Sequence, residues 1–453
     1  MANEEFRYSD YVHRVNTSAE DQPAEQPASE PKASSKAKAD AAEAEQPSGF
    51  SEVVKRLFGG DRVLWVIIIV LMTISVLVVY SSTAKMAYMP RSSTTPAEYL
   101  RSQLIMLVGG VVFMFAVHRI NSKVYRASSV WMWLLALGLT GAVYFMGGST
   151  INDAARWFPI FGFKFQPSEM LKITIVMYLA RQLAKRQKTI TTMEIVPSIN
   201  PLKWSTARQR KIWADGGRYI FLPIVLSCMF ILPAHTSSAA IVFLLSLAML
   251  YIARVRWRDI FRLIGWAVTG LALVFLLNIG RGDTASNRIT TWIDLWTTSR
   301  MDIPAEDLSD TERSMIAIHN GGLLGRGAGQ STVRVEMTHP ESDYAFAFFA
   351  EEYGIGLAMI LIALYVWIFF RAIEIFEKCP KRYPALLSLG LAILITGQAL
   401  VHIMVTVNIL PETGQTLPLI SRGGSSLIFT CVALGMILSV SRQTEEGSHS
   451  EDN

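Results

Sequence analysis

Ten carboxylates stand between Gly280 and Asp343: Asp283, Asp294, Asp302, Glu306, Asp307, Asp310, Glu312, Glu336, Glu341 and Asp343. Six arginines are interleaved with them, at 281, 288, 300, 313, 326 and 334. A positioned carboxylate can take the proton of an attacking hydroxyl, and guanidinium groups can hold a phosphate or diphosphate through paired hydrogen bonds. Within the insert, RITTWIDLW (288–296) sets Arg288 and Asp294 among aromatic and apolar residues, as in a segment lying at a membrane interface. Thr311 to Ile318 has a helical pattern, and HNGGLLGRGAGQ (319–330) is a glycine-rich turn around Arg326. Any one of these acids taken alone also suits a solvated loop surface.

Four other stretches carry chemistry-bearing types. STINDAARWFPIFGFKFQPS (149–168) holds Arg156, Trp157 and Gln166 and runs into Ser168, Glu169 and Lys172. Pro167, Ser168 and Glu169 read as a helix start, with Ser168 as cap and Glu169 in the first turn. Lys172 lies one turn inside an apolar helix, where a cation needs a partner, and Glu169 at i−3 is the nearest in sequence. The stretch DYAFAFFAEEYG (343–354) places Glu351 and Glu352 side by side in an apolar run, so both must face partners or a cavity. LPETGQTLPLISRGGSS (410–426) is turn-rich and carries Ser421, Arg422 and Ser425, types that suit an anionic head group. His235 opens a span in PAHTSSAA (233–240) and could titrate near neutrality.

The elements that position these groups read as membrane helices. The chain has 453 residues, of which only 17% are charged against about 25% in soluble domains, so lipid is the expected solvent. Ten apolar runs are of spanning length: 62–82, 101–118, 127–147, 168–184, 219–234, 238–253, 262–279, 343–370, 386–409 and 422–441. Lys and Arg crowd one alternating set of short connections, around 119–126, 181–218, 254–262 and 378–382, whereas the opposite set holds few. The positive-inside rule then puts both termini in the cytoplasm and the large loop between spans seven and eight (280–342) outside. The expected fold is an all-α polytopic membrane protein of about ten transmembrane helices. Residues 1–59, rich in Ala, Glu, Pro and Ser, are expected to be a disordered cytoplasmic tail, 60–441 the ten-helix domain and 442–453 a short cytoplasmic tail. The bases lie in loops between apolar runs, which argues against a nucleic-acid binder. The three cysteines make neither a metal nor a disulfide pattern.

Three blocks carry a resemblance to a known family. RWFPIFGFKFQPSEMLKI at 156–173, GGLLGRGAGQS through ESDYAFAFFAEEYG at 321–354, and LPETGQTLPLISRGGSS at 410–426 resemble the SEDS proteins (shape, elongation, division and sporulation), and more closely its division branch. The resemblance implies an inverting glycosyltransferase that polymerises peptidoglycan strands from lipid II outside the membrane. There a glucosamine hydroxyl attacks the anomeric carbon of the donor, and undecaprenyl diphosphate leaves. It implies an aspartate of the large outer loop as base, matched here by Asp302, with Asp294 the alternative. By the same resemblance Arg156, Trp157, Gln166, Ser168, Glu169, Lys172, Glu351, Glu352, Ser421 and Ser425 are expected at the substrate, where the charges of Arg288, Arg326 and Arg422 also suit an anionic head group. A divalent cation, magnesium or manganese, could bridge the aspartate and the diphosphate. The implied partners are a class B penicillin-binding protein and other division proteins, at the septum of the bacterial inner membrane. Glu341 stands where the family often has His, His402 where it has Asn, and Arg422 where Tyr is frequent. A lipid II flippase and a non-catalytic division scaffold are the competing expectations.

Overall fold

Backbone N–H and C=O groups cannot be left unpaired in hydrocarbon, so each apolar run is driven to satisfy them within a helix. The computed structural model describes residues 58–86, 96–145, 149–151, 154–160, 163–198, 200, 206–233, 235–276, 282–297, 308–333, 337 and 340–449. Residues 1–57, and with them nearly all of the expected tail, lie outside the described residues, as does Asp302.

Each predicted span corresponds to a helix. These are α1 (Arg62–Met86), α2 (Pro96–Arg119), α3 (Ser122–Phe145), α4 (Pro167–Lys185), α5 (Ala207–Ile231), α6 (Thr236–Ile252) and α7 (Trp257–Leu276). After two shorter helices within the insert, α8 (Gly282–Thr297) and α9 (Asp310–Gly321), come α10 (Ala345–Lys378), α11 (Arg382–Thr406) and α12 (Ser425–His449). Helices α1, α2, α5, α10, α11 and α12 are long and apolar enough to cross a membrane, and α6 is apolar but shorter. The last helix runs to His449, past the predicted end at 441. The middle of α5, Trp213–Phe221, is wound as a π-helix.

One departure from the all-helical expectation is a small antiparallel meander before α4: β1 (Ser149–Ile151), β2 (Ala154–Ile160) and β3 (Phe163–Phe165). It brings the chain from the end of α3 to the start of α4, pairing Ser149 with Trp157 and Phe158 with Phe165.

Helices α4, α11 and α12 form the centre. Nearly every residue of α4 from Pro167 to Leu183 is buried, and most of α11 and α12 is covered as well. Helix α12 packs along α2, α10 against α11, and α3 against α4. By contrast α7 leaves the bundle, and every residue from Val268 to Leu273 is exposed. At the end bearing the basic loops, the buried Asp61 caps α1 through Leu64 N–H (3.0 Å) and meets the Arg371 guanidinium at 2.6 Å, while its own N–H donates to Ser441 Oγ (2.9 Å). The start of α1 is thus tied to α10 and α12 at once.

Helix α10 is broken at Gly354, whose φ of 83° and ψ of 163° belong to a region that only glycine occupies readily. The break frees backbone groups inside an apolar helix, and the glycine-rich turn after α9 supplies their partners. Arg326 N–H donates to Glu351 O (3.0 Å) and Gly327 N–H to Glu352 O (2.9 Å), while Ile355 N–H donates to Gly322 O (2.9 Å). The two backbones approach so closely that a Cβ on Gly325 would overlap Glu352 O, and Gly325 itself has φ +82°. Gly325→Ala is therefore expected to cost about 2–4 kcal/mol from a strained backbone and overpacking together. Thermal unfolding in detergent should show a clearly lowered midpoint; an unchanged one would mean the turn and helix are not in this contact.

Candidate functional site

The polar groups at the end of the bundle that carries α8, α9 and the meander are gathered by one segment, 407–424, between α11 and α12. Among the described residues it exchanges hydrogen bonds with several neighbouring elements. Trp292 Nε1 of α8 donates to Asn408 O (3.1 Å), and Arg288 Nη1 reaches Glu412 O (3.4 Å). Ser314 of α9 donates to Thr406 O (2.7 Å), at the end of α11. From α6, Ser237 donates to Thr413 O (2.8 Å), and Gln415 Nε2 returns bonds to Ser237 and Ser238 Oγ (2.9 and 3.0 Å). His402 Nδ1 lies 2.7 Å from Gln415 O, which gives that departure from the family pattern a fixed backbone partner.

Helix α8 is amphipathic, and its contacts pick out one stripe. Arg288, Trp292 and Leu295, spaced i, i+4 and i+7, are the partly covered residues between Ser286 and Thr297. The others are exposed, Asp294 among them, and at 100° per residue Asp294 points well away from the covered stripe. Arg288 lies 3.9 Å from the Glu412 carboxylate. Arg422 lies 3.8 Å from Glu341, and its backbone N–H donates to Glu341 O (3.0 Å). Two of the positions that depart from the family pattern, an acid at 341 and a base at 422, are thus each other's partners. Both arginines remain partly exposed, so their charge is available at the surface beside Glu412 and Glu341.

Beneath this surface a closed polar ring is buried at the centre of the bundle. Lys172, 1% exposed, meets Glu169 Oε1 at 2.7 Å and donates to Gln398 Oε1 at 3.0 Å. Gln398 Nε2 donates to Thr416 O (3.1 Å), the Thr416 hydroxyl meets that of Ser426 (3.0 Å), and Ser426 donates back to Glu169 Oε2 (3.3 Å). Helix α4 sets Glu169 and Lys172 on one face, and the 407–424 segment closes the ring. Isolated ions here would be prohibitively costly; paired and hydrogen-bonded ones are tolerated. The sequence pointed to Glu169 as the partner of Lys172, whereas Gln398, Thr416 and Ser426 were missed. The available signal was a lone amide within the apolar run of α11.

The other predicted residues are placed as follows. Arg156 and Trp157 lie on β2. Gln166, not Ser168, is the residue before α4, and the helix begins at Pro167. The missing N–H and preset φ of proline suit that first position, which leaves Ser168 inside the first turn and buried. Gln166 N–H donates to Ser425 Oγ (3.2 Å), and Ser421 is committed between Leu417 N–H and Ser342 O (2.8 and 2.7 Å). Glu351 is fully buried and receives Ser331 Oγ, Thr332 N–H (3.0 Å) and Thr332 Oγ1 (3.2 Å), with Arg326 at 3.7 Å. Glu352 accepts from Ser81 of α1. The paired acids have partners within the chain, and those partners fix the glycine-rich turn. Burial drives the His235 imidazole down to about 4, with Lys172 and Arg288 adding to the effect, so it is neutral at physiological pH and does not titrate near neutrality. Among the described residues no three of His, Cys, Asp and Glu converge as metal ligands.

The sequence pattern of the FtsW/RodA/SpoVE family, described as cell cycle proteins, matches residues 61–446. The chain belongs to this family. It is 28% identical over 389 residues to a probable peptidoglycan glycosyltransferase FtsW of Coxiella burnetii, covering 84% of this chain and 96% of that one. It is 27% identical over 391 residues to the stage V sporulation protein E of Bacillus subtilis, covering 84% and 97%. Among solved structures, the rod shape determining protein RodA of Thermus thermophilus superposes with a TM-score of 0.57 at 21% identity, over 85% of this chain and 97% of that one. A chain from a peptidoglycan synthase complex, described in terms of polymerization and crosslinking, superposes with a TM-score of 0.62 at 20% identity, over 85% and 98%. The fold is shared with these membrane proteins, and the chain is a multi-pass membrane protein of the same kind.

Proposed function

We propose that the chain is a peptidoglycan glycosyltransferase that polymerises glycan strands from lipid II on the outer face of the bacterial inner membrane, in septal wall synthesis. The observation that carries this reading is the outer polar surface built on segment 407–424. Arg288 and Arg422 are held there at fixed positions, partly exposed, where a lipid-linked diphosphate would arrive from the adjacent leaflet. The names of the relatives support it. So does the crowding of Lys and Arg into the opposite connections, which puts this surface outside and both termini inside.

In the reaction the 4-hydroxyl of the acceptor's glucosamine attacks the anomeric carbon of the donor strand. The bond from that carbon to the diphosphate oxygen breaks, and configuration inverts. Asp302 takes the hydroxyl proton as general base, and the arginines of the outer surface stabilise the charge accumulating on the departing undecaprenyl diphosphate. The likeness to a chain of a synthase complex supports a class B penicillin-binding protein as partner, crosslinking the strands as they emerge.

The test is reconstitution of the full chain with its transpeptidase partner in detergent, given lipid II. Glycan strands of many disaccharides are expected, with one undecaprenyl diphosphate released for each glycosidic bond formed. Absence of polymer, together with movement of lipid II across a vesicle bilayer, would replace this reading with a flippase.

A further inference from the structure

Two neighbours at the tip of the glycine-rich turn are strongly exposed: Leu324 at 87%, the highest value among the large apolar residues described, and Leu323 at 74%, equalled by Trp131. A pair of leucines offered to water on a polar loop would be costly, by about 25 cal/mol for each Å² of apolar surface. Their level relative to the membrane can be read from α10. Gly356 N–H donates to Leu323 O (3.3 Å) and Ile355 N–H to Gly322 O (2.9 Å), so the turn is clamped level with the break at Gly354. At the other end of α10 the first charge is Arg371, tied to Asp61 and Glu374. A span needs about twenty residues to cross the hydrocarbon, and counting that far back from Arg371 ends within one turn of Gly354. The break, and with it the leucine pair, therefore sits at the edge of the hydrocarbon. Directly below, Ile355, Leu357, Met359 and Ile360 are all exposed and continue the apolar surface down the span.

We propose that Leu323 and Leu324 form a membrane anchor that inserts among the acyl chains of the nearest leaflet. The occupant is phospholipid, because the leucine pair is continuous with the lipid-facing side of α10 and lies at hydrocarbon depth. Arg326, two residues on and partly exposed, stands at the level of the head groups, where a cation at the end of an apolar stem is favoured. The anchor fixes the height of the turn that closes the broken helix, so the polar surface above it is held against the membrane plane. The inference needs only the membrane fold and is independent of the reaction proposed above.

The test is spin labelling of the full chain in phospholipid nanodiscs, with Cys228, Cys379 and Cys431 replaced by alanine. Labels are introduced by Leu324→Cys, by Met359→Cys as a lipid-facing reference and by Gln330→Cys as an aqueous one. The ratio of accessibility to oxygen over that to a water-soluble nickel chelate should be several-fold higher at 324 than at 330 and approach that at 359. A ratio at 324 equal to that at 330 would place the leucines in water, and low accessibility to both reagents would place them under protein; either overturns the anchor. Should the cysteine-free chain fail to fold, a photoreactive benzoylphenylalanine at 324 in the natural chain gives the same decision. Irradiation in nanodiscs should add the mass of a phospholipid, and no such adduct overturns the proposal.

Discussion

Asp302→Ala is expected to lower lipid II polymerisation by about 10²–10⁴-fold, the range that a positioned general base contributes, with folding unchanged. Asp294→Ala is expected to keep most of its activity. The contrast follows from α8: its covered stripe of Arg288, Trp292 and Leu295 is fastened to segment 407–424, and Asp294 is exposed on a different face. A helix pinned by that stripe cannot turn Asp294 toward the segment without surrendering Trp292 and Arg288. Polymer yield per molecule of monodisperse protein is the measurement, with lipid II saturating and the partner present. Equal loss in the two variants would mean the acids act through the loop's structure, and loss in Asp294→Ala alone would move the base to α8.

Lys172→Met should be the most damaging single change to stability among the buried polar residues, at about 3–5 kcal/mol. The methionine fills the volume but leaves Glu169 buried without its cation and Gln398 without its donor. The double variant Lys172→Met/Glu169→Gln removes both charges and is expected to recover a large part of that loss, since a buried ion pair replaced as a unit is often nearly neutral. Thermal unfolding and recovery from membranes would read both. If the double variant is as unstable as the single, the ring matters through its hydrogen bonds and not through its charges.

The helices were legible because membrane-crossing length is a local property, and ten apolar runs became ten helices. The ring joining Glu169, Lys172, Gln398, Thr416 and Ser426 was not, because it is closed by residues more than two hundred positions apart in the chain. Glu169 and Lys172 could be paired from sequence because they lie three apart on one helix. Ser168 was misread as a cap since the pattern of proline, hydroxyl and acid fits two registers one residue apart, and only the backbone shows Pro167 already helical. Glu351 and Glu352 were rightly seen to need partners, but Ser331, Thr332 and Ser81 carry no signal that ties them to these acids. The pairing of Glu341 with Arg422 shows the same limit. As separate departures from a family pattern they look like two losses, and only the contact shows one exchange.

The broken helix has a consequence for how the chain can be assembled and altered. Until the turn at 321–327 arrives, the backbone around Gly354 lacks hydrogen-bond partners at the edge of the membrane, so α10 cannot reach its final form on insertion alone. The outer insert and the eighth span are consequently one folding unit, although one is polar and the other apolar. Exchanging the insert between family members as a self-contained module would leave mismatched seams at 321–327 and 351–356. Grafts that carry both stretches together should fold where grafts of the loop alone do not.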